Sequence, residues 1–348
     1  MKFGRIIRGW YKKNLRELPM RRTRDPYKIW VSEIIMQQTR INQGVPYYLR
    51  FIEAFPTMAD LAAASEDSVL KLWQGLGYYS RARNLQGSAR YIMEHLGGKI
   101  PGDYKGLLQL KGVGKYTAAA IASICYDEPC AAVDGNVSRV VARLYGVEEA
   151  VNSTTGARQI EALAQEMLDP GDPGTHNQAM IDFGAMLCVP SSPKCADCPC
   201  AGGCHANLSG RVDLIPVKIP KQSPEKRWFY YYLIICEGKT ILTKRGEQDI
   251  WRSLYQFPVI ESNTPLPEKE LVSTRVPAPV ISRLQKVSLS APLIHPLSHR
   301  TIHAQFIHLE VSSLPEKLPD GWLHISLQDL DQYPVPRLIH RYLESLKF

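Results

Sequence analysis

The sequence predicts a two-domain protein in which a mainly α-helical N-terminal part precedes an α/β C-terminal domain. The chain has 348 residues, which is more than one typical hydrophobic core accommodates. Residues 1–205 contain segments such as VSEIIMQQT and TAAAIASICY, in which apolar residues recur at helical spacing. From Trp228 onward, β-branched and aromatic residues alternate, as in RWFYYYLII. The basic, proline-rich stretch between these patterns predicts a linker over 206–227 and a second domain over 228–348.

Several elements can be placed within this frame. Asp25 and Pro26 mark the start of a helix over DPYKIWVSEIIMQQT, because Asp caps free N–H groups and Pro fits the first helical turn. The segment RWFYYYLIICEGKTILTKR predicts a β-hairpin around its Glu-Gly turn. IHAQFIHLEV predicts a further strand, and VPRLIHRYLESL predicts a closing helix.

The charge of the chain favours a polyanionic partner. The net charge is +8 and the isoelectric point is about 9.0, which is typical of many proteins that bind nucleic acid. The basic N-terminus has no continuous apolar segment of the secretory type, and no apolar run reaches the roughly 18 residues that cross a bilayer. We therefore expect a cytoplasmic protein that does not associate with membranes.

A cluster of cysteines predicts a metal centre. Cys188, Cys195, Cys198 and Cys204 follow the spacing Cys-x6-Cys-x2-Cys-x5-Cys. In a reducing compartment, clustered thiols indicate metal binding rather than disulfides. Four thiolates can hold either Zn²⁺ or a [4Fe–4S] cube, and the ligand type alone does not decide between them. Cys200 lies between the last two ligands and is interpreted as a spare thiol.

A glycine turn predicts a phosphate-binding site. In LLQLKGVGKYTAAAIASI, the turn Gly112-Val113-Gly114 joins two predicted helices. Glycines let the backbone approach a phosphate closely, and free N–H groups at the start of a helix attract an anion. Further along the chain, Asp134 stands just ahead of another predicted helix, where it could also serve as an N-cap.

Together these segments resemble the MutY-like adenine DNA glycosylases, which belong to the helix–hairpin–helix, endonuclease III-like DNA glycosylase superfamily. The resemblance rests on DPYKIWVSEIIMQQT, LKGVGKYT, AAVDGNVSRVV and the cysteine spacing, and it covers most of the chain. It implies a helix–hairpin–helix glycosylase fold with a [4Fe–4S] cluster loop on the four cysteines. It also implies a Nudix-like C-terminal domain that recognises 8-oxoguanine. The implied partner is double-stranded DNA containing 8-oxoguanine:A or G:A mispairs, bound by a monomer associated with the nucleoid.

The resemblance implies four catalytic residues. Glu33 would be the general acid, because apolar and aromatic neighbours raise the pKa of a carboxyl and adenine is a poor leaving group unless it is protonated. Asp134 would stabilise or capture the cationic sugar, as paired carboxylates do in glycoside hydrolysis. Tyr116 and Asn136 would orient these two groups. A continuous helix would also place Gln37 one turn after Glu33 on the same face.

Tyr116 also predicts the reaction type. Glycosylases that cut the DNA backbone carry a lysine at the corresponding position, and a phenol cannot form a Schiff base. The sequence therefore predicts a monofunctional enzyme, although Lys115 lies next to this position. The alternative is an endonuclease III-like glycosylase and lyase acting on oxidised pyrimidines, against which Tyr116 and the large second domain argue. A catalytically dead damage binder with a zinc clip is disfavoured by Glu33 and Asp134.

The resemblance also implies residues that hold DNA and its bases. Gln38 and Tyr78 match positions that fill the gap around the opposite base, and Ser298 can accept a hydrogen bond from N7–H of 8-oxoguanine. Met20 replaces a usual tryptophan and Leu297 a usual phenylalanine. No Arg-Glu-x-x-Glu-Glu run follows the linker, so pyrophosphate hydrolysis is not expected. The predicted DNA- and base-binding residues are Arg21, Gln37, Gln38, Tyr78, Gly112, Gly114, Lys115, Gln178, Ser298 and His299.

Overall fold

The computed structural model describes residues 2–220, 223–247, 250–273, 280 and 282–346. The chain forms two compact units, one made of Met1–Ala63 and Ser80–Pro220 and the other of Ala64–Tyr79 and Lys221–Phe348. We call these the helical unit and the mixed unit. No pattern in the sequence indicated that residues 64–79 would cluster with the C-terminal strands, and the predicted domain boundaries stay a prediction.

The helical unit consists of helices joined by short turns. Within the described ranges, no helix is long and apolar enough to cross a membrane. The α-helices of this unit are α1 (Lys2–Asn14), α2 (Pro26–Met36), α3 (Ile41–Ala54), α4 (Met58–Ala63), α6 (Ser80–His95), α7 (Tyr104–Leu107), α8 (Lys115–Tyr126), α9 (Gly135–Tyr145), α10 (Thr154–Met167), α11 (Pro173–Met186) and α12 (His205–Leu208).

Helix α2 begins as the sequence predicts. The Asp25 carboxylate accepts hydrogen bonds from the backbone N–H groups of Tyr27 and Lys28, and Pro26 occupies the first turn. The end of the helix comes earlier than predicted. Gln37 is already the C-cap residue, and Gln38 adopts a left-handed conformation with φ of 56°.

An arginine of α6 accounts for this early end. Nη1 of Arg81 donates to the carbonyls of Ile34 at 2.9 Å, Ile35 at 3.0 Å and Gln37 at 2.5 Å. These carbonyls have no partner in a helix that stops here. The guanidinium therefore satisfies the end of α2 and places its positive charge at the negative end of the helix dipole.

Helix α11 packs closely against α8 and α9. A Cβ atom added to Gly174 would lie 2.9 Å from the carbonyl oxygen of Ser123 on α8. A Cβ atom at Gly184 would lie 2.8 Å from Cβ of Asn136 on α9. Because both positions lack a side chain, the backbones can approach, and α11 brings its residues next to those of α8 and α9.

The mixed unit contains two sheets and short helices. The larger sheet has the order β4-β1-β7-β5, with β6 also pairing with β7, and the smaller has the order β3-β2-β8. Strands β1 and β7 are parallel, and the other pairs are antiparallel. The elements are α5 (Glu66–Trp73), β1 (Glu225–Ile235), β2 (Lys239–Lys244), β3 (Tyr255–Gln256), β4 (Val259–Ser262), α13 (Glu268–Val272), β5 (Leu284–Leu289), β6 (Leu293–Pro296), β7 (Arg300–Val311), β8 (Trp322–Ser326) and α14 (Arg337–Ser345).

The predicted hairpin of β1 and β2 is wrong beyond its turn. Glu237 and Gly238 do form a tight turn with positive φ values of 47° and 73°, but only a single bridge between Cys236 and Lys239 links the two strands. Strand β1 is buried from residue 229 to 234 and pairs with β4 on one side and β7 on the other. Strand β2 instead lies between β3 and β8 in the smaller sheet. The predicted strand IHAQFIHLEV and the closing helix are confirmed as β7 and α14.

Candidate active site

One open cavity of the helical unit gathers most of the predicted catalytic and base-pocket side chains. Its volume is about 200 Å³, and its walls come from the segment before α2, from α2, α8 and α11, and from the start of α9. Met20 is buried and forms part of the lining. The predicted site residues that line the cavity are Arg21, Glu33, Tyr116, Asp134, Asn136 and Gln178.

Glu33 has the electrostatics of a general acid. Its pKa is raised from 4.5 to about 7, mainly because burial disfavours the charged carboxylate. The negative charge of Asp134 raises the pKa further, whereas a hydrogen bond from the Tyr116 hydroxyl and the positive charge of Arg21 lower it. A carboxyl with this pKa holds a proton near neutral pH and can still donate it.

Asp134 both caps a helix and lines the cavity. It caps α9, and one carboxylate oxygen accepts bonds of 2.8 Å from the backbone N–H groups of Asn136 and Val137. The other oxygen accepts a 2.7 Å bond from the Asn136 amide. Burial raises the pKa of Asp134, while these hydrogen bonds act in the opposite direction. The carboxylate is therefore held in one orientation at the wall of the cavity.

Arg139, which the sequence analysis missed, fixes Asn136 in turn. Its guanidinium donates to Oδ1 of Asn136 at 2.9 Å, to the carbonyl of Gly184 at 2.7 Å and to the carbonyl of Cys188 at 2.7 Å. Arg139 thus connects the active-site amide to the chain at the first clustered cysteine. The spacing offered a signal, because Asn136 and Arg139 are three residues apart on one helix and neighbours on its surface.

A buried ion pair supports another wall of the cavity. Asp182 is fully buried, and both of its oxygens accept 2.7 Å hydrogen bonds from Arg21. Arg16 donates to the same carboxylate. Burial alone would raise the pKa of Asp182, but the two arginines hold it below its ordinary value. Sequence reasoning overlooked Asp182, although it lies one turn after Gln178 on α11.

A hydrogen bond from helix α1 orients Gln178. Its side-chain oxygen accepts a 2.9 Å hydrogen bond from the Tyr11 hydroxyl of α1. Gln37 is the C-cap residue of α2 and is not among the side chains that line the cavity. Its amide donates to the Thr117 hydroxyl at 3.1 Å. That Gln37 shares a helical face with Glu33 stays a prediction, and Gln38 is exposed in the turn that follows.

The predicted glycine turn lies at the start of α8. Gly112 has φ of 84°, and a Cβ atom there would meet Cβ of Asn84 at 2.7 Å. Gly114 is the N-cap of α8 and supplies no side-chain cap, so the first N–H groups of the helix remain available to an anion. The preceding helix is only the single turn α7, which is shorter than the sequence suggested.

Lys115 is directed away from the catalytic cavity. Its amine donates to both carboxylate oxygens of Glu161 at 2.9 Å. The two residues line a separate cavity of about 210 Å³, and Tyr116 is the one described residue that lines both cavities.

The predicted recognition loop is the tip of the β6–β7 hairpin. The backbone N–H of Leu297 donates to the carbonyl of Arg300 at 2.7 Å and closes the turn. Ser298 and His299 are exposed at this tip. The Ser298 hydroxyl is hydrogen-bonded to the hydroxyl of Tyr78, which belongs to the same mixed unit. Two predicted opposite-base residues thus meet, although they are 220 residues apart in the chain.

The four clustered cysteines line one small cavity of about 30 Å³ in the helical unit. Arg143 stands at its wall, donating to Sγ of Cys188 at 3.4 Å and accepting from the Cys204 thiol at 3.3 Å through its carbonyl. Cys200 is buried and hydrogen-bonded to Cys198. In the part of the chain that the structure describes, no three His, Cys, Asp or Glu side chains already stand in a ligand arrangement. The donor set nevertheless fits a four-thiolate centre, because four sulfurs share one cavity with a cation that can offset their charge.

Comparison with known proteins identifies the family. The profile of the HhH-GPD superfamily base excision DNA repair proteins matches residues 31–170, and a NUDIX domain profile matches residues 230–345. The adenine DNA glycosylase of Buchnera aphidicola subsp. Acyrthosiphon pisum (strain APS) is 30% identical over 99% of this chain and 97% of its own length. The chain belongs to the adenine DNA glycosylase family. The helix–hairpin–helix glycosylase fold and the Nudix-like fold predicted from the sequence are thereby confirmed.

Other members of the adenine DNA glycosylase family match a shorter part of the chain at higher identity. The human adenine DNA glycosylase is 44% identical over 59% of this chain and 39% of its own length. Among solved structures, a thermostable thymine-DNA glycosylase superposes with a TM-score of 0.56 at 29% identity, covering 60% of this chain and 95% of the other.

Proposed function

We propose that the chain is a monofunctional adenine DNA glycosylase that hydrolyses the N-glycosidic bond of adenine mispaired with 8-oxoguanine or guanine. The product is an abasic site in double-stranded DNA. The observation that carries this proposal is Glu33, a carboxyl with a pKa of about 7 that shares one cavity with Asp134 and Tyr116. Membership of the adenine DNA glycosylase family supports the choice of base.

The reaction follows from the charges of the two carboxyl groups. An adenine turned out of the duplex enters the cavity, and protonated Glu33 donates its proton to a ring nitrogen. The bond from N9 to C1′ of the sugar then breaks, and the bonding electrons leave with the base. The ionised Asp134 stabilises the positive charge that develops on the sugar. Water adds to C1′, and the proton it loses returns to the Glu33 carboxylate.

Tyr116 and Asn136 act as positioning residues. The Tyr116 hydroxyl donates to Glu33, which orients the carboxyl toward the base. Asn136 donates to Asp134 at 2.7 Å and is itself fixed by Arg139. Preorganised dipoles of this kind stabilise developing charge without rearranging during the reaction.

The monofunctional assignment rests on the residue at position 116 and on the contacts of Lys115. A lyase needs an amine that reaches C1′ to form a Schiff base, and position 116 carries a phenol. Lys115 is held by Glu161 beside the other cavity. Both observations disfavour the endonuclease III-like alternative.

The proposed DNA contacts combine backbone and side-chain groups. The backbone N–H groups that follow Gly112 and Gly114 at the start of α8 would bind a phosphate. The net charge of +8 favours association of the monomer with duplex DNA at the nucleoid. The four clustered cysteines would hold a [4Fe–4S] cluster, which, when bound, supplies a fully ligated and redox-capable centre. Exposed Lys194 lies in this loop and would face a phosphate.

In the mixed unit, the opposite base would be read by exposed Tyr78, Ser298 and His299, and Gln38 of the helical unit is proposed for the same role from its resemblance to the family. Gln38 and Tyr78 both stand in left-handed turns, with φ of 56° and 48°. Such turns present a side chain away from the packed core. These residues would fill the space left by the extruded adenine, while Ser298 accepts from N7–H of 8-oxoguanine.

A single-turnover assay tests the proposal. We expect the protein to release adenine from an 8-oxoguanine:A duplex and more slowly from G:A, with strand breaks on the adenine strand only after alkali. Release should be lost in Glu33→Gln, whereas duplex binding persists. Cleavage of a thymine-glycol strand without alkali would overturn the proposal in favour of the endonuclease III-like activity.

A further inference from the structure

Two side-chain amides hold the stretch of chain that leads into Asp134. Residues 129–132 run between α8 and α9 and belong to neither helix. The side-chain oxygen of Asn177 on α11 accepts a 3.0 Å hydrogen bond from the backbone N–H of Ala132, and its nitrogen donates to the carbonyl of Cys130 at 2.8 Å. Since a backbone N–H only donates and a backbone carbonyl only accepts, the directions of both bonds are fixed.

Gln165 on α10 makes the same pair of bonds one residue earlier in the chain. Its side-chain oxygen accepts from the backbone N–H of Ala131 at 2.9 Å, and its nitrogen donates to the carbonyl of Pro129 at 2.8 Å. In an extended chain, successive residues direct their backbone groups to opposite edges. The two amides therefore occupy the two edges of this stretch, where neighbouring strands would lie in a sheet.

The two amides differ in burial. Asn177 is 3% exposed and the Ala132 that it binds is 1% exposed, whereas Gln165 is exposed on the surface of the helical unit. If the amide of Gln165 is removed, water can bind the backbone groups that it leaves. Water does not reach the groups held by Asn177, so their loss of a partner carries the full cost of desolvation.

The amide of Asn177 is committed to the protein, although this residue lines the catalytic cavity. A side-chain amide has two hydrogens to donate. One is donated to the carbonyl of Cys130 and the other to the hydroxyl of Ser123 on α8, at 2.8 Å each. Asn177 thus joins α11, α8 and the stretch before Asp134, and both of its hydrogens are used in doing so.

We propose that Asn177 is a positioning residue for the carboxylate of Asp134. Asp134 follows Ala132 by two residues, and its own backbone is extended, with φ of −102° and ψ of −172°. Asn177 fixes the chain before the carboxylate, and the N-cap bonds to α9 fix it after. A catalytic group displaced by about 1 Å can lose about 100-fold in rate. This inference rests on the proposed function, in which Asp134 stabilises the cationic sugar.

Removing each amide in turn tests the inference. We expect Asn177→Ala to slow single-turnover adenine release from an 8-oxoguanine:A duplex by about 10- to 100-fold. Gln165→Ala is the matched control, since it removes the same pair of bonds from the exposed edge, and it should slow release less than about twofold. With protein in saturating excess the rate constant reports on folded molecules alone, so a lower stability does not change it. If Asn177→Ala does not fold, Asn177→Ser takes its place in each measurement.

A cationic analogue reports on the carboxylate itself. One duplex carries a protonated pyrrolidine in place of the sugar opposite 8-oxoguanine, and a second carries an uncharged tetrahydrofuran. The wild type should prefer the cation, and in Asn177→Ala this preference should fall together with the rate. Once Asp134→Asn is present, Asn177→Ala should change the preference no further.

The outcomes separate this inference from the proposed function. An Asn177→Ala variant with unchanged rate and unchanged preference for the cation would overturn the inference, as would an equal loss in Gln165→Ala. Either result leaves the proposed function intact. A wild-type protein that releases no adenine would instead refute the proposed function.

Discussion

The raised pKa of Glu33 predicts that Glu33→Gln stabilises the protein while abolishing its activity. In the folded state the pKa is about 7, against an ordinary value of 4.5. Each pKa unit corresponds to about 1.4 kcal/mol, so keeping this carboxyl ionised in the folded state costs about 3 kcal/mol. Glutamine has the same shape and carries no charge, and it can still accept from the Tyr116 hydroxyl. The variant should therefore be more stable by up to about 3 kcal/mol above pH 7.

The gain in the free energy of unfolding from Glu33→Gln should increase as the pH rises. Below pH 4.5, Glu33 is protonated in both the folded and the unfolded chain, so the substitution should change the free energy of unfolding little. Between pH 4.5 and 7, the unfolded chain ionises while the folded one keeps its proton, and the wild type loses stability as the pH rises. Above pH 7 the difference should be constant.

Urea unfolding at pH 5, 6, 7 and 8 measures this difference, and single-turnover adenine release is followed on the same samples. The loss of a general acid should slow release by about 10²- to 10⁴-fold. Glu53→Gln, an exposed position on α3, serves as control and should show neither effect. A Glu33→Gln variant that is destabilised to the same extent at pH 5 and pH 8, or one that releases adenine normally, would refute the reasoning.

Other predictions concern the supports of the site. Arg139→Gln leaves buried carbonyls and the amide of Asn136 without their donor, so we expect urea unfolding to show a loss of roughly 2–5 kcal/mol together with slower adenine release; unchanged stability would contradict it. Gly112→Ala combines positive φ with a clash against Asn84, and calorimetry should show a loss of about 2 kcal/mol, whereas Gly114→Ala, which meets no atom within 4 Å, should lose less than half as much. Removing iron with a chelator should bleach visible absorbance and lower the melting temperature; a protein containing zinc instead would show no such absorbance to lose.

The sequence predicted the active site better than it predicted the supports of that site. Glu33 and Asp134 could be proposed because each stands in a segment that resembles a family motif, DPYKIWVSEIIMQQT in one case and AAVDGNVSRVV in the other. Asp182 and the carbonyl contacts of Arg139 could not, because they depend on which helices pack against each other. A buried carboxylate on α11 becomes interpretable only when the arginines that neutralise it are in view.

The end of α2 depends on the same kind of long-range contact. Helical periodicity continues through the segment, yet the helix ends at Met36, where Arg81 on α6 binds its last carbonyls. In the mixed unit, β1 and β2 carry a correct turn signal but enter different sheets, and β1 pairs with β4 and β7 instead. Long-range partners therefore override local preference at both places.

The pKa values of two acidic side chains at the cavity shift in opposite directions, since that of Glu33 is raised and that of Asp182 is lowered. Burial raises the pKa of both groups, yet that of Asp182 is held low because Arg21 and Arg16 bind it directly. Arg21 also faces Glu33, but among the causes that set the pKa of Glu33 its effect is the smallest. Its two short bonds to Asp182 direct its charge to that carboxylate. Loss of Asp182 would leave this guanidinium without its carboxylate partner, and its positive charge would then favour ionised Glu33 more strongly. We therefore expect Asp182→Asn to lower the pKa of Glu33, and an unchanged pH dependence of adenine release would contradict this.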